Sequence, residues 1–367
     1  MRLATMLLVL VATIPPARAA DPSIPVLVPI TGFLAVEGRS QRNGAVLALA
    51  NSPAGMVVRH EVSDTGTSPE VAVNALERAI GDADTIAVVA PMLGTQMLAM
   101  LPVALEAKLP MLTISGTAAI TQKGNPYVFR FFPDDGVTKL AQVRFATEER
   151  KFTRPALITQ TTAYGQSGRA ELLKLLAERG IKPVYEDALD VSLRDMTPVL
   201  AKAEAAGADS LILHLHGGPT ALLLKAAAAM GTHLPILAGS GLSQPSTLAL
   251  LEPAELAGAC AETGSSPISN ETPAIAAFTT AYRKTFNADP DSFALGQYDG
   301  VMMALKAMAD GARTPEALTK ALASMTYEGL AMTYRSNGHG DMANSAVIIC
   351  FDGTTRTPKV VKHYGPA

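Results

Sequence analysis

Hydroxyl and glycine residues recur where short apolar runs stop. The stretches are Thr31-Gly32, Asp64-Thr65, Leu93-Gly94-Thr95, Ser115-Gly116-Thr117, Thr161-Thr162 with Tyr164, His216-Gly217-Gly218 and Gly239-Ser240-Gly241. A hydroxyl donates a hydrogen bond, a glycine lets backbone N–H groups come close, and a helix N-terminus carries partial positive charge. Together these are the means of holding a small anion without a metal or a lysine. Serine and threonine are also the ordinary N-caps of helices, so any one stretch alone says little. Loops facing each other across a shared cleft would give the set its meaning. His216 closes its run beside such a loop, as a ligand contact would, whereas His214, two residues earlier, reads as a core residue.

Covalent or acid–base catalysis has no visible apparatus. There is no G-x-x-x-x-G-K-[ST] phosphate loop, and Gly165-Gln166-Ser167-Gly168 misses the spacing of a nucleophile elbow. Gly338-His339-Gly340 comes too late in the chain for a dinucleotide fingerprint and reads as a turn. The histidines show no H-E-x-x-H or comparable ligand spacing, so no metal site and no cofactor is expected. The residue pattern is one for holding a molecule rather than converting it.

Composition narrows the partners. The 367-residue chain has a formal net charge of −3 and only 17% charged residues against 48% hydrophobic ones. That excludes intrinsic disorder and gives no electrostatic reason to bind nucleic acid. With no tryptophan and 5% aromatic residues, a base-stacking surface is equally unsupported. At this length two domains of ordinary size are expected.

The elements that must position the polar stretches alternate strand and helix. Strands are expected at 24–30, 57–62, 85–90 and 111–115, with helices at 38–51, 68–81 (Ser68 as N-cap and Pro69 first) and 95–107. The pattern restarts after Asp134: helix 137–150, strand 156–159, helix 166–179, strand 182–185, helix 196–206, strand 210–215, helix 219–230, strand 236–238 and a segment at 257–263. Helices at 273–286, 292–311 and 315–324 precede a strand-like tail at 330–364. Such β-α repeats imply an α/β fold of two doubly wound, parallel-sheet lobes, and ligands of open α/β sheets bind beyond the carboxyl ends of strands.

Residues 1–20 read as an export signal: Arg2, an apolar run to Ile14, then Pro15-Pro16 and the small-x-small Ala17-Arg18-Ala19. The run is too short to span a bilayer, so cleavage near Ala19 or Ala20 and an exported, soluble mature chain are expected. Export would permit a disulfide between Cys260 and Cys350. Two buried thiols on strands are the other reading, and the sequence leans slightly toward it.

Taken in order, several segments resemble the periplasmic solute-binding proteins of branched-chain amino-acid ABC importers. They are Pro29-Ile30-Thr31-Gly32 with Gly38 and Asn43-Gly44-Ala45, Asp64-Thr65, the 110–115 stretch, Gly124-Asn125-Pro126-Tyr127-Val128-Phe129-Arg130, Asp134-Asp135, Ala163-Tyr164-Gly165 and Gln297-Tyr298-Asp299. The resemblance implies the type I periplasmic binding fold, with lobes joined by three crossovers near 135–138, 263–267 and 329–334. Lobe one would hold 21–136 with 265–331, and lobe two 137–264 with 332–367. It also implies a ligand carboxylate held by Gly94, Thr95, Ser115, Gly116 and Thr117, with Tyr164 closing from lobe two and Phe33 and Glu37 in the first loop at the cleft mouth.

Two departures bear on the ligand. The chain has Ser240 where the amino-acid binders carry an acidic partner for the amine, and His216 where they carry an aromatic residue. Asp190, Glu262 and Asp299 are the acidic residues that could substitute. His216 adds a donor and, when protonated, a charge that suits a second polar or acidic ligand end. The implied function is capture of a branched-chain amino acid or related small carboxylate, the loss at Ser240 favouring an organic acid without an amine. An inner-membrane permease with ATPase subunits would be the partner, and a ligand sensor for a signalling receptor is the alternative.

Overall fold

The computed structural model describes residues 21–269 and 271–365; the expected export signal lies outside them. Two sheets carry the fold. The first has five parallel strands in the order Val62–Asp64, Val26–Val28, Val88–Val89, Met111–Thr113, Val128–Arg130. In the second, Tyr185–Leu189, Pro155–Gln160, Ser210–His214, Ile236–Ala238 and Cys260–Thr263 run parallel. Ala346–Cys350 and Lys359–Tyr364 then add antiparallel at its edge.

Both sheets thus place their first strand between the second and the third. That order creates a switch point, where the loops leaving neighbouring strands diverge to opposite faces and open a crevice. Side-chain alternation accounts for the two-sided cores. On the first strand, Val26 and Val28 join the apolar cluster under the helices Ala35–Ala50 and Ser292–Ala309, while Leu27 joins the cluster on the other face. These two helices pack backbone to backbone at Gly44: a Cβ there would collide with the Ala294 carbonyl.

Local signals read in the sequence act as expected. The Ser68 hydroxyl accepts the Val71 N–H at the start of Pro69–Ile80. In the late Gly-rich turn, Gly338 and Gly340 have φ near 90° and Asn337 Oδ1 accepts the His339 N–H. Boundaries moved more. The strand expected at 57–62 lies at Val62–Asp64, and the one expected at 182–185 at Tyr185–Leu189. The helix expected at 137–150 begins at Asp135 and widens into a π-turn at Phe145–Glu149.

The chain passes between the sheets after Arg130, after Thr263 and before Ala346. The third passage corrects the expectation of 329–334. Thr333–Arg335 pairs with Thr326–Glu328, and Tyr334, Met342 and Ala343 lie in the first core, so residues 332–343 do not belong with lobe two. Arg130 explains the placement. Its guanidinium is fully buried and binds Asp341 while donating to the Ser115 and Thr117 carbonyls, which pins the tail segment to the first sheet.

The cysteines are also corrected. Cys260 and Cys350 sit opposite each other on antiparallel neighbours and are joined as a disulfide, a pairing set by strand register that the sequence does not display. Closing a loop of 90 residues restrains the unfolded chain. The Cys260→Ser/Cys350→Ser protein is therefore expected to lose about 2–4 kcal/mol in urea denaturation, and the wild-type protein to lose the same under reducing conditions.

Candidate functional site

Loops at the carboxyl ends of the two sheets face each other and touch. The Ala118 N–H donates to Ser167 Oγ across the gap (3.0 Å), and the Phe33 ring rests against His216 with centroids 5.5 Å apart. Between them is a narrow cavity of about 40 Å3. Leu34, Met92, Ile114, Phe132, Leu215 and Phe293 supply apolar wall; Glu37, Gly116, Tyr164, His216, Ser240 and Gln244 supply the polar and aromatic features. Most lie just beyond a strand end or in the first turn of the helix that follows it, as the switch-point order dictates; Gln244 comes one short turn later, and Phe293 opens the helix Ser292–Ala309, which follows another helix.

Of the expected site residues, the cavity gathers Glu37, Gly116, Tyr164, His216 and Ser240. Gly94 and Thr117 stand one layer behind Gly116 and touch: a Cβ on Gly94 would strike the Thr117 hydroxyl. Gly94 opens the helix Gly94–Ala107, whose N-cap residue Leu93 offers no side-chain acceptor. Ser115 and Thr117 are each 1% exposed, and their hydroxyls have no hydrogen-bond partner among the described residues. An uncapped helix N-terminus against the unengaged Thr117 hydroxyl, with a second unengaged hydroxyl on the same loop at Ser115, is suited to a carboxylate. Thr95 is partly exposed and does not line the cavity. Phe33 forms the rim, 45% exposed.

Glu37 differs from its expected place. It is in the helix Ala35–Ala50 and is buried, with its carboxylate accepting the Gly217 N–H at the start of the helix Gly217–Met230 on the opposite lobe. Burial pushes its carboxyl up to about 7 from the ordinary 4.5.

Tyr164 and the two histidines form a stack. Its ring lies 3.9 Å from that of His214 and 5.0 Å from that of His216, so the two histidines do share one side of their strand. His214 is fully buried, as expected of a core residue, yet it also positions Tyr164 by bonding the Tyr164 carbonyl through Nε2 (3.0 Å). Gly168 makes room for it, since a Cβ there would overlap the imidazole. Burial lowers His216 to about 4 and holds His214 well below its ordinary value. The positive charge foreseen for His216 is therefore absent at neutral pH; the ring acts as a neutral partner, its backbone N–H held by Gln160 Oε1 (2.8 Å).

Behind Ser240 sits a group of charges that sequence spacing does not reveal. Lys139 and Glu262, both fully buried, form an ion pair. Glu262 also accepts from the Ser240 hydroxyl (3.0 Å) and the Ser240 N–H (3.2 Å). Asp135, equally buried, lies 3.6 Å from His214 Nε2 and is raised to about 7, chiefly by desolvation. Of the acids proposed to replace the missing one at Ser240, only Glu262 is adjacent. Asp190 is exposed and bonded to Ser192, and Asp299 accepts the Leu330 and Ala331 N–H groups. Of the residues given no site role beforehand, Asp135 and Lys139 lie one turn apart on the helix Asp135–Arg144 and Gln244 comes from a separate segment; their polar character inside apolar surroundings is the one signal the sequence offers.

A sequence model described as "Periplasmic binding protein" matches residues 22–350. The chain belongs to the periplasmic binding protein family. The Leu/Ile/Val-binding protein BraC3 of Rhizobium johnstonii is 29% identical over 255 residues, covering 66% of this chain and 68% of that one. Among solved structures, the leucine-binding protein LivK of Thermotoga maritima superposes with a TM-score of 0.86 at 22% identity, over 94% of this chain and 99% of that one. A solute-binding protein of R. palustris in complex with 4-hydroxybenzoate gives 0.83 at 16% identity, over 94% and 97%. The protein is thus a periplasmic binding protein, and the relatives it matches are named as binding proteins, not enzymes. Among its described residues no helix is long and apolar enough to cross a membrane.

Two measurements follow from the electrostatics. The raised carboxyl of Glu37 contributes stability that is complete below about pH 4.5 and is lost as pH rises through about 7; Asp135 acts with the same sign. Glu37→Gln should therefore exceed wild type in stability by about 1–3 kcal/mol at pH 8 and match it near pH 5, read from melting curves across that range. Lys139→Met should cost about 3–5 kcal/mol by stranding Glu262, and adding Glu262→Gln should restore most of it in urea denaturation.

Proposed function

We propose that the protein is the periplasmic substrate-binding component of an ABC importer and that its ligand is a small organic acid without a free amine. An inner-membrane permease with ATPase subunits would receive that ligand. The observation that carries the ligand class is the state of Glu262. It is the acidic group beside Ser240, and Lys139 together with the Ser240 hydroxyl and N–H already engages it. An α-ammonium buried against this wall would lack a charge partner, a penalty of roughly 3–5 kcal/mol by analogy with broken buried pairs, or a hundred- to several-thousandfold in affinity.

The opposite end of the ligand is better served. The Ser115 and Thr117 hydroxyls and the helix N-terminus at Gly94-Thr95 would take the carboxylate, while Leu34, Ile114, Phe132 and Phe293 would enclose an apolar body. The branched-chain amino-acid binding named for BraC3 and the 4-hydroxybenzoate bound to the R. palustris protein bracket the choice: both molecules are carboxylates, and only the former carry an amine.

Titration calorimetry against leucine, valine, benzoate, 4-hydroxybenzoate and branched-chain keto acids tests the reading. At least one amine-free acid should bind more tightly than leucine. Thr117→Val should weaken that acid roughly ten- to a hundredfold, the loss of one hydrogen bond to a charged group. Tight leucine binding that Glu37→Gln abolishes would instead make Glu37 the amine partner and overturn the amine-free assignment.

A further inference from the structure

Gln244 is a buried primary amide with nothing to bond. It is 1% exposed, it lines the interlobe cavity, and neither Oε1 nor Nε2 has a hydrogen-bond partner among the described residues. A primary amide brings two N–H donors and a carbonyl acceptor, and burying them unmet is unfavourable unless something in the cavity meets them. The backbone holds the residue in place: Gln244 is the N-cap of the short helix Pro245–Leu248, and its carbonyl accepts the Leu248 N–H. It stands on the second lobe and lines the same cavity as Ile114 and Gly116 of the first lobe.

Three neighbouring polar groups on that wall are already engaged. Ser240 is bonded to Glu262, the His216 N–H to Gln160, and the Gly217 N–H to Glu37. No lysine or arginine lines the cavity among the described residues. We propose that Gln244 is a specificity-determining residue whose amide recognises an uncharged donor–acceptor group, a hydroxyl above all, on the part of the ligand facing the second lobe. This rests on the reading of the ligand as a small carboxylate and adds to it a second, neutral polar group. A site built around a buried amide discriminates strongly against the analogue lacking its partner, because the amide is then left unpaired.

Matched pairs of acids test it by calorimetry: phenylacetate with 4-hydroxyphenylacetate, phenylpyruvate with 4-hydroxyphenylpyruvate, and hexanoate with 6-hydroxyhexanoate. Wild-type protein should bind the hydroxylated member at least about tenfold more tightly in one pair or more. Gln244→Met, which keeps the length and removes donor and acceptor, should bring that ratio to within about threefold. Gln244→Ala serves if the methionine variant does not fold. Acids that bind without discrimination in wild type, or with a ratio the variants leave unchanged, would overturn the role of Gln244 alone. Failure of every acid in the panel to bind would overturn the carboxylate reading and this one with it.

Discussion

The pairing of Lys139 with Glu262 governs the character of the cleft. Two opposite charges removed from water are tolerable only when each has the other and their remaining hydrogen bonds are met. Here Glu262 takes the ammonium on one side and Ser240 on the other, which turns a candidate ligand-binding carboxylate into part of the wall. Burial does the same to its neighbours: desolvation keeps His216 neutral, and with smaller contributions from Lys139 at His214 and Glu262 at Tyr164 it keeps those uncharged too, so the second lobe presents dipoles and rings to the cavity rather than net charge.

The first lobe is organised around a different buried charge. Arg130 ends its strand inside the protein and gathers the Ser115 and Thr117 carbonyls, the Thr121 hydroxyl and Asp341. That single guanidinium fixes the loop carrying two unengaged hydroxyls and holds the returning tail against the same sheet. The asymmetry between lobes is therefore physical: one shows donors suited to an anion, the other a neutral surface that includes the wholly unpartnered amide of Gln244.

Glu37 links the halves. Its carboxylate sits at the N-terminus of a helix on the facing lobe, where the helix dipole favours negative charge. Burial opposes that ionisation strongly enough to move the group into the physiological range. Contact between the lobes is thus coupled to protonation through a residue whose place in the chain suggested only a rim position.

Much of this architecture was legible beforehand. Alternating strands and helices, the cap at Ser68, the polar strand ends and the ordered family segments all depend on residues near each other in sequence, where periodicity and turn chemistry operate. They led to the two-lobed α/β fold and to Gly116, Tyr164, His216 and Ser240 around one cavity. Other features arise from contacts between distant segments. The disulfide needed the register of two strands, the third passage needed Arg130 to reach Asp341, and the neutralisation of Glu262 needed a lysine more than a hundred residues away. Protonation states followed the same rule, since burial is a property of the packed chain. The sequence by itself determined which kinds of element form and which residue types stand at strand ends; only the tertiary structure decided which of those polar groups are already spent on one another and which are left for a ligand.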